Sequence, residues 1–357
     1  MSSPTPQLPH LFETFPEELH SWLAGRGIDA NPEHCRRVIA EIVTRGRTEL
    51  APRRALARTV KAAVNDGTRR DRLEVVERVT DAAGFVKYLF RSPDGALTEA
   101  VRLPLAKEGC FSVCLSSQVG CAMGCVFCAT GRLGLSRNLE AWEMVSAFLT
   151  VRDEAPGRVT GAVFQGQGEP FHNYDRVIRA ARMLAHPCGG AIAAKAITIS
   201  TVGLVPQIRR YTAEGHKFRL ILSLTSVIAD RRSELLPVAG KFAIEDLADA
   251  LREHAAASSF SLQTVAWVVM SGVNTGSDEV EALKLLLGDL RMRINLIDVN
   301  DSRPDGFRPA PDPERHRFMD ELAVLQMPLV RRYSGSTQNH AACGMLASKQ
   351  TAIEEQP

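Results

Sequence analysis

Three cysteines, Cys121, Cys125 and Cys128, fall in the spacing C-x3-C-x2-C, with Gly120, Gly124 and Gly131 between and around them. Glycine adopts the backbone conformations a tight loop needs, so three thiolates can converge on one centre. A closed structural zinc site takes four ligands, and an iron–sulfur cube has four irons to ligate. Three protein thiolates therefore leave one metal position open to a small molecule, which is how a catalytic site differs from a structural one. The spacing alone also allows a zinc knuckle with its fourth ligand elsewhere, or three reduced cysteines in a glycine-rich turn.

With the aromatic Phe127 just before its last cysteine, the pattern resembles the signature of the radical S-adenosylmethionine (radical SAM) superfamily. That resemblance implies a [4Fe-4S] cluster on Cys121, Cys125 and Cys128, with SAM chelating the fourth iron. About forty residues further on stands Gly166-Gln167-Gly168-Glu169-Pro170. Its glycines permit close backbone approach, and its carboxylate can accept from an ammonium group; by itself the run reads equally as a tight turn. Ser200, Ser223 and Asn300 each close a segment that reads as a strand. Their hydroxyls and amide could bond the carboxylate, ribose and adenine of a nucleoside cofactor. Singly, each also reads as a cap for the next helix. Two further cysteines, Cys114 and Cys343, lie outside the triad, the second in Ala341-Ala342-Cys343-Gly344.

The elements that must position these groups follow from periodicity. Residues 11–65 read as short helices: Phe12, Phe15, Leu19 and Leu23 form one apolar stripe, and Val38, Ile39, Ile42 and Val43 another. Leu73–Thr80, Phe85–Arg91 and Leu97–Leu103 read as a β-meander with turns at Ala82-Ala83-Gly84 and Pro93-Asp94-Gly95. Beyond the cysteine loop, buried strands are expected at Val159–Phe164, Ala196–Ser200, Phe218–Ser223, Gln263–Met270 and Ile294–Asp298. Helices such as Tyr174–Ala185, Ile244–Ala257 and Asp278–Leu287 alternate with them. Repeated βα units imply a parallel sheet with helices outside, and about six units fall short of the eight of a closed barrel. The expected fold is α/β, a partial (β/α)6 barrel at residues 110–347. It is preceded by a helical domain at 1–70 and the meander at 71–109, and followed by a tail at 348–357. Ligand sites in such folds sit at the carboxyl ends of the strands, where these motifs fall.

Composition bounds the rest. The 357 residues are 45% hydrophobic and 24% charged, which is ordinary for globular proteins. No stretch approaches the roughly 20 apolar residues of a membrane span, and the first twelve residues show no secretory signal. Eight cysteines in no small-scaffold arrangement suit a reducing cytoplasm. The net charge is only +2, yet residues 36–72 hold eleven basic residues against four acidic ones. Such a local excess can neutralise phosphates or simply form a solvated helical surface.

Taken together, the run Cys114–Cys121, Cys128-Ala129-Thr130-Gly131, the G-x-G-E-P, the Ser200 strand, the Gly272-Val273-Asn274 turn, the Asn295-Leu296-Ile297 strand and the Ala-Ala-Cys-Gly end resemble the RlmN/Cfr family of radical SAM RNA methyltransferases. The resemblance runs from about Gly84 to Ala347, and a cysteine seven residues before the cluster triad paired with one near the C-terminus is peculiar to that family. It implies methylation at C2 of an adenine in 23S rRNA, with tRNA as a further substrate; methylation at C8 and a paralogue acting on a non-RNA substrate are the alternatives. A non-catalytic iron–sulfur RNA-binding protein is the rival from another class.

In the implied chemistry one SAM methylates the Cys343 sulfur. A second is cleaved to a 5′-deoxyadenosyl radical that takes hydrogen from that methyl group. The carbon radical adds to the adenine, Glu99 (in Glu99-Ala100-Val101-Arg102-Leu103-Pro104) removes the ring proton, and Cys114 attacks Cys343 to release product as a disulfide forms. Without the resemblance, Glu99 reads as a surface carboxylate on a strand. By the same carry-over Gly168, Glu169, Ser200, Ser223, Leu224, Thr225 and Asn300 contact SAM. RNA, an electron donor such as flavodoxin or ferredoxin, a monomeric state and no membrane partner complete the expectation. The chain departs from the family at Gln167, where methionine is usual, at Thr225, where histidine is usual, and around His340 and Met345.

Overall fold

The computed structural model describes residues 8–50, 56–301 and 303–332. Four strands, β1 (Glu74–Thr80), β2 (Val86–Arg91), β3 (Leu97–Pro104) and β4 (Cys110–Leu115), run antiparallel in sequence order. The first two turns close as Asx-turns: Asp81 Oδ1 accepts from the Ala83 N–H and Asp94 Oδ1 from the Ala96 N–H. A small ribbon, β5 (Gln118–Gly120) with β6 (Leu135–Asn138), brackets the cysteine loop at its base. Gly120 sits at φ +75°, and a Cβ there would collide with the Gly134 carbonyl oxygen, so only glycine closes this ribbon.

Parallel pairing then carries the sheet on through β7 (Arg158–Phe164), β8 (Ile197–Thr201), β9 (Arg219–Ser223), β10 (Gln263–Val269), β11 (Met292–Asp298) and β12 (Leu329–Arg332). The ten-stranded sheet ends in β1 on one side and β12 on the other, so the barrel is partial, as expected. Between the parallel strands run helices Tyr174–Ala185, Val205–Ala213, Ile244–Ala257 and Ser277–Leu287. Near the N-terminus, Pro16–Ala24, Pro32–Ile39 and Arg58–Gly67 are helical, and Leu19, Leu23, Val38, Val60 and Val64 join the same buried core as the barrel helices.

Three elements differ from the sequence expectation. The segment between Pro104 and Cys114 reads as a loop, yet Cys110–Leu115 is strand β4, because β3 and β7 supply ladder partners on its two sides. Strand β12 forms in the same way beside β11. The helix Ala141–Asp153 shows no amphipathic stripe, because residues Ala141 to Val151 are all buried.

That buried helix carries Glu143, 2% exposed, whose carboxylate accepts from Arg137 (2.8 and 2.9 Å), from Ser92 (2.5 Å) and from the Glu140 N–H (2.8 Å). Arg137 also holds Asp94 in the β2–β3 turn, so the cluster ties helix, meander and cysteine-loop ribbon together. Removing one member of a buried charged network costs about 3 kcal/mol. Glu143→Ala should therefore lower unfolding free energy by about that amount in denaturant titrations, whereas a loss below about 1 kcal/mol would mean the network is dispensable.

Candidate active site

Alternation along the strands sets which side chains meet. Ladder partners connect Val101 on β3, two residues on from Glu99 and on the same face, to Cys114 on β4, Cys114 to Val163 on β7, and Val163 to Thr198 on β8. Two residues on from Thr198, Ser200 pairs with Ile221; two on again, Ser223 pairs with Ala266. One continuous sheet face thus carries Glu99, Cys114, Ser200 and Ser223, and its carboxyl-end half forms the wall of a cavity.

Cys121, Cys125 and Cys128 line that cavity together with Gly168, Glu169, Ser200, Ser223, Thr225 and Asn300. Leu224 does not: its side chain is fully buried in the core behind. Cys114 is half-buried and packs with Phe85, Val101 and Leu103 on the same sheet face, beyond the cavity's own lining. Cys343 lies outside the described residues.

The cysteine loop is held at several backbone points. The Cys121 N–H donates to the Gly134 carbonyl at 2.7 Å, and the Val126 N–H to the Leu235 carbonyl at 3.2 Å. The Val126 carbonyl in turn accepts from Arg132 at 3.3 Å and Arg303 at 3.1 Å. Burial pushes the Cys121 thiol up to about 12 and raises those of Cys125 and Cys128. Mutual repulsion adds to the rise at Cys121 and Cys125. Among the described residues no three His, Cys, Asp or Glu side chains converge on the position of a single ion; the thiols open onto one shared cavity instead. Soft, buried thiolates suit an iron–sulfur cluster, whose positive charge would reverse the burial effect and drive the thiols to thiolates.

Across the cavity, Glu169 is 3% exposed. Gly168, at φ +95° and too close to Gln118 to carry a Cβ, turns the chain so that the Glu169 N–H meets Gln118 Oε1 at 2.9 Å. The Glu169 carboxylate accepts the backbone N–H groups of Phe171 (2.9 Å) and Val202 (3.0 Å), yet burial prevails and its pKa rises to about 7. A buried carboxylate of this kind favours a cationic ligand. The Ser200 and Ser223 hydroxyls lie 3.4 Å apart on adjacent strand ends. Thr225, at φ +61° and fully buried, is among the residues lining the cavity, and its Oγ1 has no hydrogen-bond partner. These thiols, carboxylate and hydroxyls match a cluster and an amino-acid-bearing nucleoside.

Sequence reasoning missed Arg232, which reads as a surface arginine in the short helix Ala229–Leu235 but is 3% exposed. It donates to the carbonyls of Val202 (2.6 Å), Ser223 (3.4 Å) and Leu224, clamping the ends of β8 and β9. Burial lowers its pKa to about 10. Glu99 corrects a second reading. It is no surface carboxylate but 2% exposed, with Lys87 Nζ 3.2 Å from one oxygen and Gln167 Nε2 3.4 Å from the other.

Comparison with known proteins agrees with this site. Residues 115–286 match the Radical SAM superfamily. A solved radical SAM methyltransferase from Sphaerobacter thermophilus superposes with a TM-score of 0.87 at 33% identity, covering 95% of this chain and 99% of that one. Fold and site define a radical SAM enzyme, a SAM-dependent radical methyltransferase. A probable RNA methyltransferase of Anaeromyxobacter sp. (strain Fw109-5) is 48% identical over 89% of this chain and 94% of its own length. The dual-specificity RNA methyltransferase RlmN of Geobacter sulfurreducens is 33% identical over 95% of this chain and 92% of its own. The chain belongs to the RlmN family of radical SAM methyltransferases.

The Glu169 shift has a measurable consequence. A carboxyl raised from 4.5 to about 7 binds its proton more tightly in the folded state, so folding is favoured at low pH and loses stability as pH rises between those values. Glu169→Gln abolishes this dependence. Denaturant titrations of the ligand-free proteins should show the variant gaining about 3 kcal/mol on wild type between pH 5 and pH 8. A constant difference would mean Glu169 is ionised throughout.

Proposed function

We propose that the chain methylates C2 of an adenine base in 23S ribosomal RNA, and in transfer RNA. The observation that carries this is the shared sheet face: the pair Glu99 and Cys114 lies along the same wall as Ser200 and Ser223 of the three-cysteine cavity. A proton acceptor and a thiol beside a radical-generating site suit a substrate carbon that is electrophilic and closed to ordinary displacement. The names of the relatives, RNA methyltransferases of probable or dual specificity, support RNA as substrate.

Cys121, Cys125 and Cys128 would hold a [4Fe-4S] cluster, which together with SAM would supply a carbon radical able to abstract hydrogen. Glu169 takes the SAM ammonium group, which restores its ionised form. Ser200, Ser223, Thr225 and Asn300 hydrogen-bond the carboxylate, ribose and adenine, with Leu224 contributing backbone alone. Cys343 carries the methyl group as a thioether and becomes bonded through that carbon to the adenine. Glu99 then accepts the C2 proton, and the unpaired electron left on the ring by radical addition would pass to the cluster, itself oxidised when SAM was cleaved. The Cys114 thiolate attacks the Cys343 sulfur; an S–S bond forms, the electron pair of the broken C–S bond goes to the product carbon, and that carbon takes up a proton from water to become the methyl group.

In the N-terminal region Arg36 and Arg37 pair with Glu33, both partners exposed. Such exposed pairs are weak, so these arginines can exchange carboxylates for RNA phosphates. A cytoplasmic monomer reduced by flavodoxin or ferredoxin completes the reading; among the described residues no helix is long and apolar enough to cross a membrane.

Anaerobic reconstitution with iron, sulfide, SAM, reductant and ribosomal RNA should yield 2-methyladenosine by nucleoside mass spectrometry. The appearance of 8-methyladenosine would move the chemistry to C8, and salt-independent or absent RNA binding would point to a non-RNA substrate. Cys114→Ala should trap a covalent protein–RNA species on denaturing gels. Undiminished product without any trapped species would refute the role given to Cys114.

A further inference from the structure

Lys87 and Glu99 form an ion pair with both side chains almost fully removed from water, 4% and 2% exposed. Burying such a pair carries a desolvation penalty that surface pairs avoid, so its presence beside the site calls for a reason. Ladder partners Lys87–Val101 and Val101–Cys114 put Lys87 and Glu99 on the face that carries Cys114. Among the described residues, Lys87 on β2 and Cys114 on β4 are charged or titratable groups on this face beside Glu99, and the loop after β7 brings the neutral Gln167. Gln167 is 1% exposed, and while its Nε2 donates to Glu99 Oε2, its Oε1 is buried with no hydrogen-bond partner.

A buried carboxylate without a counter-charge takes up a proton, and one that is already protonated cannot accept another. We propose that Lys87 and Gln167 are positioning residues for proton transfer to Glu99: Lys87 holds it ionised, and Gln167 serves both of its protonation states. This rests on the reading of Glu99 as the acceptor of the adenine C2 proton. In that step the C–H bond breaks, its electron pair stays on the ring, an O–H bond forms at Glu99, and the ring's unpaired electron would pass to the oxidised cluster. The Lys87–Glu99 pair passes from net zero to +1. As a carboxylate, Glu99 receives a hydrogen bond from the Gln167 amide N–H. As an acid, it becomes a donor, and turning the amide over presents the otherwise idle Oε1 as acceptor. Methionine, usual at this position in the family, offers no such exchange.

The test follows the covalent protein–RNA species in single turnovers across pH 6–10, in wild type, Glu99→Gln, Lys87→Met, Lys87→Arg and Gln167→Met. Glu99→Gln should accumulate the adduct at every pH. Lys87→Met should accumulate it at neutral pH and resolve it only at higher pH, with a midpoint shifted up by at least about one unit. SAM cleavage and Cys343 methylation, which do not use Glu99, should stay at wild-type rates, and Lys87→Arg should return the midpoint toward wild type. Gln167→Met, of similar volume, should slow resolution about tenfold, the weight of a hydrogen bond to a charged group.

Lys87→Met resolving at the wild-type rate and midpoint would overturn the proposal. Should that variant not fold, unchanged resolution in Gln167→Met would overturn it. Absence of adduct in Glu99→Gln, with product still formed, would instead overturn the reading of Glu99 on which the proposal rests.

Discussion

Strand β4 is the constraint on which the rest of the site depends. It pairs antiparallel with β3 on one side and parallel with β7 on the other, so the meander and the barrel share one sheet. Side chains alternate across that sheet with a period of two, and a slip of one residue at β4 would turn Cys114 to the helix-packed face. The two ladders prevent the slip by satisfying backbone groups on both edges of β4. They also transmit orientation: once Cys114 faces inward, Val163, Thr198, Ser200, Ser223 and Ala266 follow around the barrel by register. On the opposite face Val113 and Leu115 are buried in the core with Phe148 of the helix Ala141–Asp153, which would expose apolar surface if the register failed.

Charge in the ligand-free cavity is suppressed by burial. The cysteine thiols and the Glu169 carboxyl all have raised pKa values with desolvation as the leading cause. Each group becomes anionic more readily when a positive partner arrives, so ligand binding and ionisation are coupled. Arg232 lies behind this wall, its charge satisfied by backbone carbonyls at the ends of β8 and β9 rather than by a carboxylate at hydrogen-bonding distance. It stiffens the strand ends from which Ser223 and Thr225 project. The Lys87–Glu99 pair follows the opposite design, since there the counter-ion is built into the protein. A cavity that waits for its charges suits a dissociable cofactor, whereas a permanent partner suits the proton-accepting role proposed for Glu99.

In the basic N-terminal stretch, part of the charge is paired in space. Arg36 and Arg37 share Glu33, Arg45 and Arg47 share Glu41, and Arg72 pairs with Asp153 from the buried helix. The excess counted along the chain is therefore partly spent in space, although the exposed Glu33 pairs contribute little and exchange readily.

What the sequence by itself determined was local. The spacing of Cys121, Cys125 and Cys128 and the glycines of the turn before Glu169 were legible because chain proximity alone brings those groups together, and the polar residues at or just past the ends of β8, β9 and β11 because each follows an apolar strand run. The parallel strands were legible for a similar reason, as short apolar runs punctuated by helices. Tertiary structure decided what depends on partners far along the chain. Residues 110–115 read as a loop until β3 and β7 flank them. Glu99 reads as a surface group until Lys87 and Gln167 enclose it, and Arg232 reads as a solvated helix residue until two strand ends close over it. Burial and register are properties of neighbours, and a periodicity read from one strand or helix contains no record of what will pack against it.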